Sequence, residues 1–124
     1  MKSQKEIRLS GSGGQGLILG GIILAEAAII DNKNAVQSQS YGPEARGGAS
    51  KAEVIISSDE IDYPKVGKAD VLLALTQIAY DKYKETIKDD GILIVDSSVK
   101  HDDATHEVIQ IPILSTASEK VGKA

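Results

Sequence analysis

Glu6-Ile7-Arg8-Leu9-Ser10, then Gly11-Ser12-Gly13-Gly14-Gln15-Gly16, then Leu17 to Ile30 is the stretch on which the architecture turns. Ile7 and Leu9 alternate with charged neighbours, which predicts a strand over residues 6–10. The nearly continuous apolar run from Leu17 to Ile30 is too long for a strand and predicts a helix, closed by the turn cluster Asp31-Asn32-Lys33-Asn34. Strand, glycine loop and helix in that order open an α/β domain.

Working outward, residues 35–40 form a second predicted strand, and Tyr41 to Gly48 a loop with three glycines and one proline. Residues 51–57 alternate cleanly, with Ala52, Val54 and Ile56 on one face and Lys51, Glu53 and Ser57 on the other. That pattern predicts a half-exposed strand near a sheet edge. Residues 71–75 and 92–95 are uninterrupted apolar runs, as in parallel strands covered on both faces. Between them Thr76 is placed to cap a helix carrying Ala79, Tyr80, Tyr83 and Ile87, with Gly91 just past its end and Asp89-Asp90 at its terminus. Residues 108–111 give one more strand. Ser115 is placed to cap a last helix with Ala117, Val121 and Ala124 on one stripe, and the chain stops inside that pattern. Residues 35–57 leave no room for a crossover helix, so those two strands are antiparallel or not adjacent. The expectation is a three-layer, Rossmann-like α/β domain with a mostly parallel, mixed sheet, spanning residues 1–124 and truncated at its C-terminus.

Of the 124 residues, 41% are hydrophobic and 26% charged, the balance of a soluble globular domain. With four Tyr and no Trp or Phe, the core is aliphatic. Fourteen basic against 18 acidic residues give a net charge of −4, without runs of either sign, which argues against nucleic acid or an anionic membrane as partner. No cysteine is present, so neither a disulfide nor a cluster held by this chain's thiolates is available. The polar start, with Glu6, is unlike a signal peptide, and the stretch from Leu9 to Ala25 is too short and glycine-broken to span a bilayer. A cytoplasmic protein is expected.

Gly11, Gly13 and Gly16 satisfy G-x-G-x-x-G between strand and helix. Glycines let backbone amides approach a phosphate at the positive end of a helix. Three readings stay open on this pattern: an anion-binding loop formed by Gly11, Ser12, Gly13, Gly14, Gln15 and Gly16; a dinucleotide fingerprint; or a tight turn that serves packing. The dinucleotide reading wants an acid at the end of the second strand, where Gln37 and Gln39 stand instead; Asp31 lies in the preceding turn. Gly20-Gly21 inside the helix favours packing and close approach of another backbone. Glu26 is the helix's one charge, so a polar stripe is missing and burial beneath another chain is expected.

Tyr41-Gly42-Pro43-Glu44-Ala45-Arg46-Gly47-Gly48 is either a solvated turn with a local Glu44–Arg46 pair or a recognition loop, since Tyr and Arg anchor interfaces. His101 and His106 lack further Cys or His to complete a metal site, even with Asp102 and Asp103 beside them, so no metal is expected. Asp59, Glu60 and Asp62 read as a solvated turn. Ser10 and Ser12 have no nearby base, so no catalytic residue is assigned.

Taken together, residues 11–16, then Ser40-Tyr-Gly-Pro-Glu-Ala-Arg-Gly-Gly48, then Ala52-Glu-Val54 with Ser57, resemble the gamma subunit of 2-oxoacid:ferredoxin oxidoreductases. The likeness runs from about Arg8 to the last residue and is nearest the 2-oxoglutarate branch, followed by the pyruvate and indolepyruvate branches. It implies a subunit of a complex that converts a 2-oxo acid and CoA to acyl-CoA and CO2 while reducing ferredoxin. It places thiamine diphosphate, magnesium and iron–sulfur clusters in partner subunits and leaves this chain inactive alone. It also implies a CoA contact, whose phosphates suit the glycine loop, and partner contacts through Tyr41, Glu44 and Arg46. Two rivals from the residues alone are an NAD(P)-binding Rossmann-type oxidoreductase and a nucleotide-sensing assembly module.

Overall fold

Strand β1 (Gln4–Gly11) feeds helix α1 (Leu17–Ile30), followed by β2 (Asn34–Gln39), β3 (Ser50–Ser57), β4 (Ala69–Ala74), helix α2 (Gln77–Tyr83), β5 (Ile87–Asp96) and β6 (Glu107–Ile111). This computed structural model describes residues 4–12, 16–39, 49–61, 66–103 and 105–116. The six strands form one sheet in the order β2-β3-β1-β4-β5-β6. β1, β4, β5 and β6 run parallel, and β3 runs antiparallel to both β1 and β2. The mixed, mostly parallel sheet is as expected, and the short connection makes β2 and β3 an antiparallel pair.

Alternation along the strands divides the core in two. Leu9, Ala52 and Leu73 face α1, where they pack with Leu17 and Leu24. Leu72, Ala74, Leu93 and Val95 face the other way and pack with Ala79, Tyr80 and Tyr83 of α2. The result is the three-layer arrangement of an α/β domain. Helix α1 ends in a Schellman arrangement: Asn32 takes φ 61, its amide donates to Ile29 O at 3.0 Å and the Lys33 amide donates to Ala28 O at 2.9 Å. A Cβ on Gly20 would meet the Leu9 side chain at 3.3 Å, and one on Gly21 the Gln37 side chain at 3.4 Å. The glycine pair therefore seats α1 on its own sheet, and what approaches it closely is side chains rather than the expected backbone.

Strand β3 does lie near a sheet edge, one place in, but it is less exposed than expected. β3 lies between β2 and β1, and on its polar face Lys51 stays partly exposed whereas Glu53 is 8% exposed and Ser57 fully buried. At Glu53 the cause is Arg8, which stands opposite it in the β1–β3 register and is 3% exposed. Its Nε donates to Glu53 Oε2 at 2.7 Å. One terminal nitrogen donates to Val66 O at 3.0 Å and Gly67 O at 3.1 Å, and the other donates to the Thr86 hydroxyl. The guanidinium carbon also lies 5.6 Å from the centre of the Tyr83 ring.

The same contacts explain why the second helix stops early. Thr76 caps α2 as expected, accepting from the Ala79 amide at 3.1 Å. Thr86, however, donates its hydroxyl proton to Tyr83 O at 2.7 Å while accepting from Arg8, and the chain turns there into β5. Ile87 and Asp89-Asp90 consequently belong to β5, not to the helix, and Gly91 lies within that strand. A Cβ on Gly91 would come within 2.6 Å of the Ile87 side chain, at the irregularity where the β4–β5 register shifts. The last helical turn starts at Ile113, ahead of Ser115; the expected stripe Ala117, Val121 and Ala124 lies outside the described residues.

Between β5 and β6, Asp103 accepts from the His106 amide at 2.8 Å and the Thr105 amide at 2.9 Å, and lies 2.6 Å from His106 Nδ1. The His106 amide above all, offset by partial burial and then aided by the His106 side chain, lowers the Asp103 carboxyl to about 2. Asp102 accepts from the Tyr80 hydroxyl at 3.0 Å.

Three outcomes follow for stability. Arg8→Met takes the buried partner from the Glu53 carboxylate, leaving it the partly exposed Lys51 ammonium at 3.5 Å, and strips two carbonyls of their donor; in urea denaturation it should cost about 3–5 kcal/mol. Arg8→Lys should recover little of that, because an ammonium cannot fill the fork. Lys33→Met, which breaks the exposed Lys33–Asp31 pair at 3.6 Å, should cost under about 1 kcal/mol. Asp103 has a folded-state pKa below its unfolded value of about 3.9, so its contribution is complete above that value and lost as pH falls towards about 2. The melting temperature of Asp103→Asn should lie below that of the parent at pH 6, and the gap should narrow steadily as the pH falls towards 2.

Candidate functional site

The carboxyl ends of β1, β2, β4, β5 and β6 share one edge of the sheet, together with the start of antiparallel β3. From β1 the chain crosses to the α1 face, and from neighbouring β4 to the α2 face. That divergence is a topological switch point, where open α/β sheets form their ligand crevice. The two strands are locked there by the Leu75 amide donating to Ser10 O at 2.9 Å and the Ser10 hydroxyl donating to Leu73 O at 2.7 Å. Ser10 is fully buried, consistent with a structural hydroxyl.

The glycine loop leaves from this edge. Gly11 is the last residue of β1 and pairs with Ser50, and Ser12 follows it half-buried. Gly13, Gly14 and Gln15 lie outside the described residues. Gly16 takes φ 80, where a side chain is strained, and a Cβ there would meet nothing within 4 Å. The first intrahelical bond of α1 runs from the Gly20 amide to Gly16 O at 2.8 Å. The amides of Leu17, Ile18 and Leu19 therefore have no acceptor within the helix, and the helix starts without a side-chain cap or an acid in its first turn. An open, amide-rich, electrically positive corner is the result. Asp31 caps the other end of α1, about 21 Å away along the axis, while Gln37 lies beneath Gly21. Neither stands where a ribose-gripping acid belongs.

Tyr41, Glu44 and Arg46 lie outside the described residues, but both ends of their loop are placed. Gln39 pairs with Ala52, and Ala49 is fully buried in the core beside Ala74 and Ala79. Since Ser50 is opposite Gly11, the second loop returns to the sheet beside the point where the glycine loop leaves.

Asp96 ends β5 on the same edge and is 3% exposed. It accepts from the Ser98 amide at 2.9 Å, the Ser98 hydroxyl at 2.6 Å and the Leu114 amide at 2.8 Å. Burial alone would raise its carboxyl, yet these donors hold it below the usual range. Its acceptor capacity is spent on tying the helical turn at 113–116 to β5. Among the described residues no group of three His, Cys, Asp or Glu is gathered as metal ligands, and no helix is long and apolar enough to cross a membrane. Sequence reading overlooked the Arg8–Glu53 pair that supports this edge. The available signal was two opposite charges, each with apolar neighbours on both sides in its strand: Ile7 and Leu9 around Arg8, Ala52 and Val54 around Glu53.

The pyruvate ferredoxin/flavodoxin oxidoreductase model matches residues 6–124. A 2-oxoglutarate synthase subunit KorC of Methanocaldococcus jannaschii is 56% identical, over 98% of this chain and 67% of its own length. The keto/oxoacid ferredoxin oxidoreductase gamma subunit of Geobacter sulfurreducens superposes with a TM-score of 0.86 at 52% identity, covering 98% of this chain and 67% of that one. A 2-oxoglutarate:ferredoxin oxidoreductase from Magnetococcus marinus, solved with 2-oxoglutarate, coenzyme A and succinyl-CoA bound, gives a TM-score of 0.85 at 26% identity. That match covers 96% of this chain and 22% of the larger one. With a family match across nearly all of the sequence and this degree of identity on the same sheet, the chain belongs to the pyruvate ferredoxin/flavodoxin oxidoreductase family.

Proposed function

We propose that this chain is the gamma subunit of a cytoplasmic 2-oxoglutarate:ferredoxin oxidoreductase and supplies none of its catalytic residues. The 56% identity to a 2-oxoglutarate synthase subunit over 98% of the chain carries the reading. In the whole complex, 2-oxoglutarate loses CO2, its acyl carbon joins the CoA sulfur, and two electrons pass to ferredoxin. Thiamine diphosphate, magnesium and the iron–sulfur clusters belong to partner subunits, where they supply the carbanion and electron-transfer chemistry. A chain with no cysteine has no thiolate to offer a cluster. Residues 1–124 act as one gamma-type domain.

Within that assembly, the loop from Gly11 to Gly16 receives a phosphate of CoA. The open corner at Gly16 and the uncapped first turn of α1 supply room and donors for an anion. The NAD reading has no acid in β2 to support it, and no separate observation favours a nucleotide-sensing module. The second loop, with Tyr41, Glu44 and Arg46, meets a partner subunit beside the same edge. Its glycines let the backbone turn, and a guanidinium makes a two-pronged bond to a carboxylate or phosphate.

The chain alone should show no turnover with 2-oxoglutarate, CoA and ferredoxin, whereas the reconstituted complex should. Turnover by the chain alone, free of contaminants, defeats the subunit reading. In the complex, Gly13→Ala and Gly16→Ala should raise the KM for CoA about tenfold or more while leaving that for 2-oxoglutarate nearly unchanged. An unchanged CoA KM makes the loop a packing turn. Arg46→Ala should leave the circular dichroism of the chain intact and weaken assembly or activity by about 2–5 kcal/mol in free energy. Normal assembly and turnover return that loop to a solvated turn.

A further inference from the structure

Helix α1 is apolar on the side turned away from its own sheet. Leu17, Gly21 and Ala28 are its buried residues. On the far side Leu19, Ile23 and Ile30 are 60%, 56% and 83% exposed, and Glu26 is exposed among them. At 3.6 residues per turn these four fall within an arc of about 60°. Ile29, 59% exposed, widens the patch along one side. A helix covering a sheet ordinarily turns charge outward here, and a helix apolar all round is a buried one. Gly20 and Gly21 face the chain's own sheet, so packing within the domain already accounts for them and leaves the outer stripe unexplained.

We propose that the outer stripe of α1 is the seat of another subunit of the complex, one presenting an aliphatic surface with a Lys or Arg directed at Glu26. The proposal rests on the subunit reading above and locates one of its contacts. Charge decides between the possible occupants. A second copy would pack α1 on α1 about a twofold axis near the stripe's centre, between Ile23 and Glu26. The two Glu26 carboxylates would then be buried within about one helical turn of each other. Like charges so placed disfavour one another's ionised form, and α1 offers no cation to offset them. A different subunit with a cation opposite Glu26 removes that cost. Exposed patches of about 300–600 Å2 are already the largest on ordinary monomers, and a stable interface buries about 800 Å2 per partner. The stripe is thus the apolar core of a larger contact.

The test is co-expression of the tagged chain with the remaining subunits. Ile23→Lys, Leu19→Lys and Glu26→Lys should each lower the recovered partner subunits about tenfold or more. Ile23→Val and Glu26→Asp should retain them. These sites are exposed, so the melting temperature of the chain alone should move by no more than about 4 °C. If the parent chain recovers its partners and the Lys variants recover them equally, this proposal falls and the subunit reading stands. A parent chain that recovers no partner overturns both. If the parent sediments as a dimer that Ile23→Lys makes monomeric, a second copy occupies the stripe and the proposal is overturned.

Discussion

A single buried guanidinium organises this domain. Arg8 is 3% exposed and reaches Glu53 in β3, the carbonyls of Val66 and Gly67 ahead of β4, and Thr86 between α2 and β5. Removing a charge from water costs several kcal/mol unless the site returns a full set of partners. Arg8 obtains that set only if β3 lies antiparallel beside β1 in one register, with Glu53 opposite. A slip of one residue would turn Glu53 to the α1 face, among Leu9 and Leu73. The desolvation cost therefore acts as a specificity device: it weighs heavily against every register but one. Around it the aliphatic core, with Leu72, Leu93 and Val95, has no comparable preference for one alignment.

The features legible in the sequence are those settled locally or by simple periodicity. Helix α1 runs from Leu17 to Ile30 as expected, because Gly16 at φ 80 and Asn32 at φ 61 mark its ends with residue types suited to left-handed backbone. The two apolar runs became the adjacent parallel strands β4 and β5, neither of them an edge strand. The mistakes have one physical origin. Period-two alternation in β3 suggests contact with solvent, but alternation reports only that the faces differ in polarity. A buried ion pair produces the same pattern as water. Likewise Ile87 continued the helical spacing of Tyr80 and Tyr83, while Thr86, held by Arg8, had already ended the helix. Local propensity loses to a tertiary contact made 78 residues away in sequence.

The candidate site was legible in composition and less so in arrangement. Glycine spacing marked residues 11–16, and the Tyr, Arg and Pro content marked the loop at 41–48. That both loops meet at one edge follows from strand direction. β1 and β2 both run towards it, and antiparallel β3 starts from it, with Gly11 opposite Ser50. Loop chemistry is read from residue types, whereas their convergence requires the pairing that Arg8 and Glu53 enforce.

Helix α1 shows how a subunit's sequence carries two sets of requirements at once. Its inner side needs small residues, because Leu9, Gln37 and Ala52 approach closely, and Gly20, Gly21 and Ala28 supply them. Its outer side holds Leu19, Ile23 and Ile30, which the described residues leave exposed. Stability of the isolated domain would have been served by Lys or Glu there, at little structural cost. The burial of about 0.8 kcal/mol per CH2 group is realised only when a second surface covers those side chains. Hydrophobic energy that folding leaves unused on the outer side remains available for assembly. The same α1 that presents its positive N-terminus at the carboxyl edge would then be held by a neighbour along its length, so that subunit docking fixes the orientation of the glycine loop.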